Sequence, residues 1–348
     1  MRIFLTRHIL TRLAGAAALA ALCVPALAQA QTPEAEAAFF KGKNVRVTVG
    51  YGPGGGYDVY ARMIAPHIGR ELGANMIIEN QPGAGGISAL NATVVAPPDG
   101  LHMMIVNGAG AALSQIMQSS GVRYDLATLG HLGTVAASPW IWLVSPESKI
   151  KTPQDALALN REIMWSATGP IDGLADGAAF TCEALSMKCK VVMGYGGSNQ
   201  AALAVTKGEM DSIYVSDTSA NNYVKSGQNR AVASMARKRS RFFPDTPTIF
   251  EAMKLNAEQA WLFDFRANIE DLGRILVVPP GLSPSRLAFM QAAVKKALTD
   301  PEVITEGERT QRYIDFQDAE ATRKRTLAVV AEVTPEQKKR INEILSLK

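Results

Sequence analysis

Short runs of Val, Ile and Met alternate along this chain with longer stretches whose apolar residues recur at helical spacing. The runs predict strands at 45–49, 76–79, 102–106, 133–144, 163–166, 190–193, 212–215, 231–235 and 274–278. The intervening stretches predict helices at 59–72, 86–95, 111–118, 153–160, 174–185, 199–207, 220–225, 248–253, 283–299 and 302–307. Strand runs that do not alternate polar with apolar are buried on both faces. Separated by helices, they imply βαβ units and an α/β fold with largely parallel sheets.

Punctuation agrees with this pattern. Thr152-Pro153-Gln154-Asp155 supplies an N-cap threonine, a proline at the first helical position and an acid in the first turn. Pro279-Pro280-Gly281-Leu282-Ser283-Pro284 ends a strand and restarts a helix. Pro66 removes one backbone bond inside the first long helix, so a kink is expected there. The run 133–144 exceeds an ordinary strand and could leave one lobe and enter another. A return near Pro244 to Pro247 gives a discontinuous first lobe, 41–137 and 245–348, and a continuous second lobe, 138–244, with a cleft between them.

The N-terminus carries an export signal. Arg2, Arg7 and Arg12 precede a short apolar core, and Ala26-Leu27-Ala28 is a small-x-small cleavage site. Cleavage after Ala28 leaves a mature protein in the periplasm. The apolar core is too short to span a bilayer. The whole chain has 36 Lys+Arg against 32 Asp+Glu, a formal net charge of +4. Removing the three leader arginines brings the charge close to neutral, and no basic stripe remains to bind nucleic acid. Cys182 and Cys189 are the mature cysteines; an oxidising compartment permits a disulfide, and two buried thiols are equally compatible with the sequence.

Candidate chemistry gathers in loops that follow strands. Tyr51-Gly52-Pro53-Gly54-Gly55-Gly56-Tyr57-Asp58 has three consecutive glycines, which let a ligand approach the backbone, and it opens a helix whose N–H groups favour an anion. Asp58 reads either as an acid of the first helical turn or as a direct or water-mediated ligand contact. Gln81 to Gly86, Asn107-Gly108-Ala109-Gly110, Ser166-Ala167-Thr168-Gly169, Tyr195-Gly196-Gly197-Ser198 and Ser216-Asp217-Thr218 have the same character. Loops of one kind from two lobes point to a shared crevice at strand C-termini.

The same residues exclude other classes. A dinucleotide fingerprint starting at Gly52 fails at Tyr57, and no Gly-Lys-Ser/Thr completes a phosphate loop. No Gly-x-Ser-x-Gly elbow or His-Glu-x-x-His is present. No catalytic residue, metal site or cofactor is assigned. The sequence favours a monomeric receptor for a small carboxylate over an exported hydrolase. It does not separate delivery to a permease from presentation to a membrane signalling protein.

Three segments carry a family resemblance. Pro53-Gly54-Gly55-Gly56-Tyr57-Asp58-Val59-Tyr60-Ala61-Arg62, Glu79 to Gly86 and Pro98-Asp99-Gly100 resemble, in order and spacing, the Bug family. These are the TctC-like substrate-binding proteins of tripartite tricarboxylate transporters. Tyr195 to Ser198, Gly208 to Asp211 and Arg239 to Thr248 resemble later family segments. The resemblance implies a type II periplasmic-binding-protein fold of two Rossmann-like lobes, and membrane permease subunits as partners. It also implies a carboxylate held by backbone amides and hydroxyls at Tyr51 to Tyr57, Asn107, Gly108, Ser166, Ala167 and Thr168, with Tyr195 and Ser198 nearby. Two departures stand out. Pro170-Ile171-Asp172-Gly173-Leu174 replaces a Ser/His-containing family segment, so Asp172 would disfavour a second carboxylate at that end of the cleft. The stretch 264–274 is longer than in citrate-type relatives and resembles a divergent branch, which argues against citrate as the ligand.

Overall fold

The computed structural model describes residues 32–170, 172–331 and 333–346. The expected leader, residues 1–28, lies outside them. Two five-stranded sheets form the frame. The first has the order β2 (Asn75–Asn80), β1 (Asn44–Val49), β3 (His102–Asn107), β10 (Arg274–Val278), β4 (Gly130–Ala136). The second has the order β7 (Cys189–Val192), β6 (Ile163–Ser166), β8 (Ser212–Ser216), β5 (Trp140–Val144), β9 (Arg230–Ser234).

The expected run 133–144 divides into β4 and β5, one strand in each sheet, with Ala137, Ser138 and Pro139 between them. Proline lacks the N–H a ladder needs, so pairing stops there. This division explains a departure from the expected parallel pattern. β1 pairs in parallel with β2 and β3, and β6 with β7 and β8. β5 is antiparallel to β8 and β9, and β10 is antiparallel to β3 and β4. Each of these two strands receives the chain from the other half, at the end where the parallel strands finish. It must therefore run away from that end.

The return to the first sheet comes later than Pro244 to Pro247. Ser234 N–H donates to Pro247 O at 2.9 Å, so that segment still lines the second sheet. Ile249, Leu262, Phe263 and Ile269, from helices Ile249–Ala252 and Ala257–Glu270, are buried in the core around Trp142 and Trp165. The first sheet resumes only at Arg274. The C-terminal helix Pro335–Ser346 also joins the second core. It buries Ile341 and Ile344, while Arg340 pairs with Glu183 and Glu258 at 2.7 and 2.9 Å. Apolar matching of these amphipathic helices, rather than chain order, decides which sheet they cover.

The long helix Gly56–Leu72 runs through Pro66 without interruption. Cys182 and Cys189 form a disulfide that ties helix Gly173–Ala184 to β7. Among the described residues no helix is long and apolar enough to cross a membrane.

Candidate functional site

Between the ends of the two sheets lies a cavity lined from both. Tyr51, Gly55, Gly56, Tyr57 and Asn107 come from the first half. Thr168, Leu174, Ser198, Val215, Ser216 and Ser219 come from the second. Ser138 and Trp140 line it from the crossing, and Glu270, Gly273 and Arg274 from the return.

Local sequence decides which helix ends remain available here. Among the described residues five helices start around the cavity. Asn107 caps its helix by accepting from Gly110 N–H at 3.2 Å, and Asp172 caps Gly173–Ala184 by accepting from Ala175 N–H at 2.6 Å. Gly55, Gly197 and Ser216 stand at the same position of helices Gly56–Leu72, Ser198–Thr206 and Asp217–Lys225 and make no side-chain cap. The first-turn N–H groups of an uncapped helix lack intrahelical partners and carry the positive end of its dipole. Gly56 and Tyr57, Ser198, and Ser219 belong to those first turns, and all four line the cavity. Helix Gly56–Leu72 begins three residues before its expected start at 59, which places Gly56 and Tyr57 inside the first turn.

Tyr51 joins the loops of the first half. Its hydroxyl donates to Gly85 O at 2.8 Å and accepts from Asn107 Nδ2 at 3.2 Å, and its ring stacks on Tyr57 with centroids 4.8 Å apart. Burial raises the hydroxyl pKa of both tyrosines, so both are neutral donors at physiological pH.

Half of the residues expected at the site have other duties. Asp58 is buried below the glycine turn. Its carboxylate accepts from Gly54 N–H at 2.8 Å, Asn80 Nδ2 at 2.9 Å and Arg62 Nε at 3.0 Å. Burial works to raise its pKa, but these donors outweigh that and hold it below the usual carboxylate range. Asp172 accepts from the Thr168 hydroxyl, and from Thr168 N–H at 3.0 Å, besides capping its helix. Ser166 is fully buried and donates to Ala201 O, and Ala167 N–H donates to Val192 O. Gly54 holds the turn, and Gly108 N–H donates to Gly273 O at 3.0 Å. Tyr195 packs beside the second core. Asp217 accepts from Ser240 Oγ at 2.8 Å and faces an adjoining cavity, which shares Ser138, Trp140 and Glu270 with the first and is lined also by Arg237, Arg239 and Arg241. Burial raises the Asp217 pKa.

Trp140, Glu270 and Arg274 are not among the residues expected to contact a ligand. All three belong to the segments that cross between halves. Trp140 opens β5 opposite Ser216, the last residue of β8, and Arg274 opens β10 opposite Asn107, the last residue of β3. Beside the cavity Arg266 is buried against two acids. Its guanidinium pairs with Asp176 at 2.5 Å and also with Glu270, and it lies 5.7 Å from the Trp140 ring. Burial pushes the Glu270 pKa well up, against the pull of Arg266. Among the described residues no group of three or more His, Cys, Asp or Glu could hold a metal.

This arrangement can hold a small anion by main-chain amides and hydroxyls against an aromatic and aliphatic wall. Comparison with known proteins shows the family and the fold. The family described as the tripartite tricarboxylate transporter family receptor matches residues 60–332. The chain is 29% identical over 301 residues to the UPF0065 protein in the gbd 5' region of Cupriavidus necator, covering 85% of each. It resembles the solved periplasmic binding protein BugD with a TM-score of 0.74 at 19% identity, covering 87% of this chain and 97% of that one. It also resembles MatC from Rhodopseudomonas palustris, solved with bound malate, with a TM-score of 0.69 at 21% identity over 87% and 99% of the two chains. The chain belongs to the tripartite tricarboxylate transporter receptor family, and its fold is that of the periplasmic solute-binding proteins of that family.

Proposed function

We propose that this protein is exported to the periplasm, binds a small organic carboxylate in the cavity between its two sheets, and delivers it as a monomer to the membrane permease of a tripartite transporter. It carries the solute without transforming it. The observation that supports this most is the convergence of three helix starts without side-chain caps, from both halves, on one cavity. Such amides favour a carboxylate and supply no nucleophile. The bound malate of MatC is consistent with this ligand class. The two halves turn about Ala137 to Pro139 and the Leu272 to Gly273 return, so that closure removes water from the ligand and completes its hydrogen bonds. A thermal-shift screen of di-, tri- and aromatic carboxylates, amino acids and amides tests the reading. At least one organic acid is expected to raise the unfolding midpoint; no shift across the set would refute it.

A further inference from the structure

Arg274 is a cation of the cleft lining that makes no direct ion pair among the described residues. It is 4% exposed and lines the cavity. Its Nη2 donates to Ser216 Oγ at 2.9 Å and Thr218 Oγ1 at 3.2 Å, both neutral hydroxyls of the second half. Its guanidinium lies 4.3 Å from the Tyr60 ring centroid and 5.4 Å from that of Tyr57. Its Nε is buried and makes no hydrogen bond among the described residues. Two buried acids feel its charge without pairing with it: Glu270 pairs with Arg266, and Asp217 accepts from Ser240 Oγ. A buried guanidinium with an idle donor is costly to hold unless an anion reaches it.

Its position adds a second observation. A Cβ placed on Gly56 would lie 3.6 Å from Arg274 Nη2 and 2.7 Å from Ser219 Oγ. The guanidinium therefore sits against the free N-terminus of helix Gly56–Leu72, and two positive features face one small space. Among the described residues the rest of the wall offers no second cation. Trp140, Leu174 and Val215 are apolar, and Glu270 is taken up by Arg266.

We propose that Arg274 is the charge-recognising residue of the cleft, pairing with the single carboxylate of a solute whose remaining body is uncharged. This rests on the reading of the cleft as a carboxylate site and names its ligand class: an organic monoanion. Because Arg274 opens a strand of the first sheet and bonds to hydroxyls of the second half, the same residue couples charge recognition to closure.

The test uses the mature protein and matched probes, benzoate with benzamide and hexanoate with hexanamide, and malate and adipate as dianions. Binding is measured by calorimetry to wild type, Arg274→Gln and Arg274→Lys. A monocarboxylate should bind wild type at least about tenfold more tightly than its amide and than the dianions. Arg274→Gln should erase the preference, and Arg274→Lys should keep part of it. Equal binding of acid and amide to wild type would overturn the assignment even if Arg274→Gln fails to fold. So would an unchanged carboxylate affinity in Arg274→Gln, and tighter binding of a dianion would overturn the ligand class. If no probe of either charge binds wild type, the reading of the cleft as a carboxylate site falls, and the assignment with it.

Discussion

Gly52 donates its backbone N–H to the carbonyl oxygen of Gly196 at 2.6 Å, and this bond joins the glycine turn after β1 to the loop after β7 across the mouth of the cleft. A Cβ on Gly52 would lie 2.8 Å from that same oxygen. A second approach of the same kind lies farther along, where a Cβ on Gly169 would meet Gly85 N at 2.5 Å. The approach of these loops depends on backbones without side chains at both places.

Gly52→Ala is therefore expected to disfavour closure while leaving each half folded. Apparent affinity for the best carboxylate should fall by at least about tenfold, some 1.4 kcal/mol. The free protein's unfolding midpoint should stay near the wild-type value. Calorimetry and a thermal melt measure both, and an unchanged affinity would show that this contact does not limit closure.

Gly55→Val addresses the ligand space directly. A Cβ there has its nearest neighbours at 3.5 Å, Gly52 O, and 3.7 Å, Ser198 Oγ, which is ordinary contact. The fold should tolerate the substitution. The isopropyl group should occupy the space before the first-turn amides and abolish binding. Retained binding would mean that the glycine turn only shapes the chain.

The expectation that loops after strands build the site finds Tyr51, Gly55, Gly56, Tyr57, Asn107, Thr168, Ser198 and Ser216 around the cavity. Their signal is local: a strand, then small or hydroxyl residues, then a helix. Trp140 and Arg274 lack that signal because they open antiparallel strands. Their place at the cleft follows from where the chain changes sheet, which depends on long-range pairing. The long extended run at 133–144 was legible as a crossing because it outlasts a strand. The later return was not, because helices Ile249–Ala252 and Ala257–Glu270 choose their sheet by packing. Asp58 and Asp172 show the opposite difficulty. Sequence cannot tell an acid that faces a ligand from one taken up by its own turn, and here both accept backbone N–H groups.

Arg266 should dominate the stability of the second half. It is 2% exposed and compensates the buried Asp176 and Glu270. Arg266→Leu leaves both acids without a cation, and a loss of about 3–5 kcal/mol is expected in urea unfolding. Arg237→Ala, which breaks an exposed pair with Asp264, is the control and should change little. Equal effects would mean the buried cluster adds nothing beyond a surface pair.

His131 sets a pH dependence of known sign. It is buried in β4. Burial, opposed by a hydrogen bond with the Leu129 backbone and helped by Arg323, lowers its pKa from 6.5 to about 4. The unfolded chain takes up the proton first as pH falls. The stability His131 contributes is full above about pH 6.5 and is lost down to about pH 4, some 3 kcal/mol in all. Glu270 has the opposite sign, since its raised pKa favours the folded state at low pH. Comparing wild type with His131→Leu isolates the histidine, and the variant should lose less stability between pH 7 and pH 4. Parallel curves would contradict this.

A crystal structure of the protein with the carboxylate that raises its unfolding midpoint most is the measurement that reaches the central claim. The account predicts the carboxylate between the two sheets, within hydrogen-bonding distance of the Gly56 and Tyr57 amides and of the Arg274 guanidinium. A carboxylate bound on the outer surface, with the cleft filled by protein side chains, would contradict it.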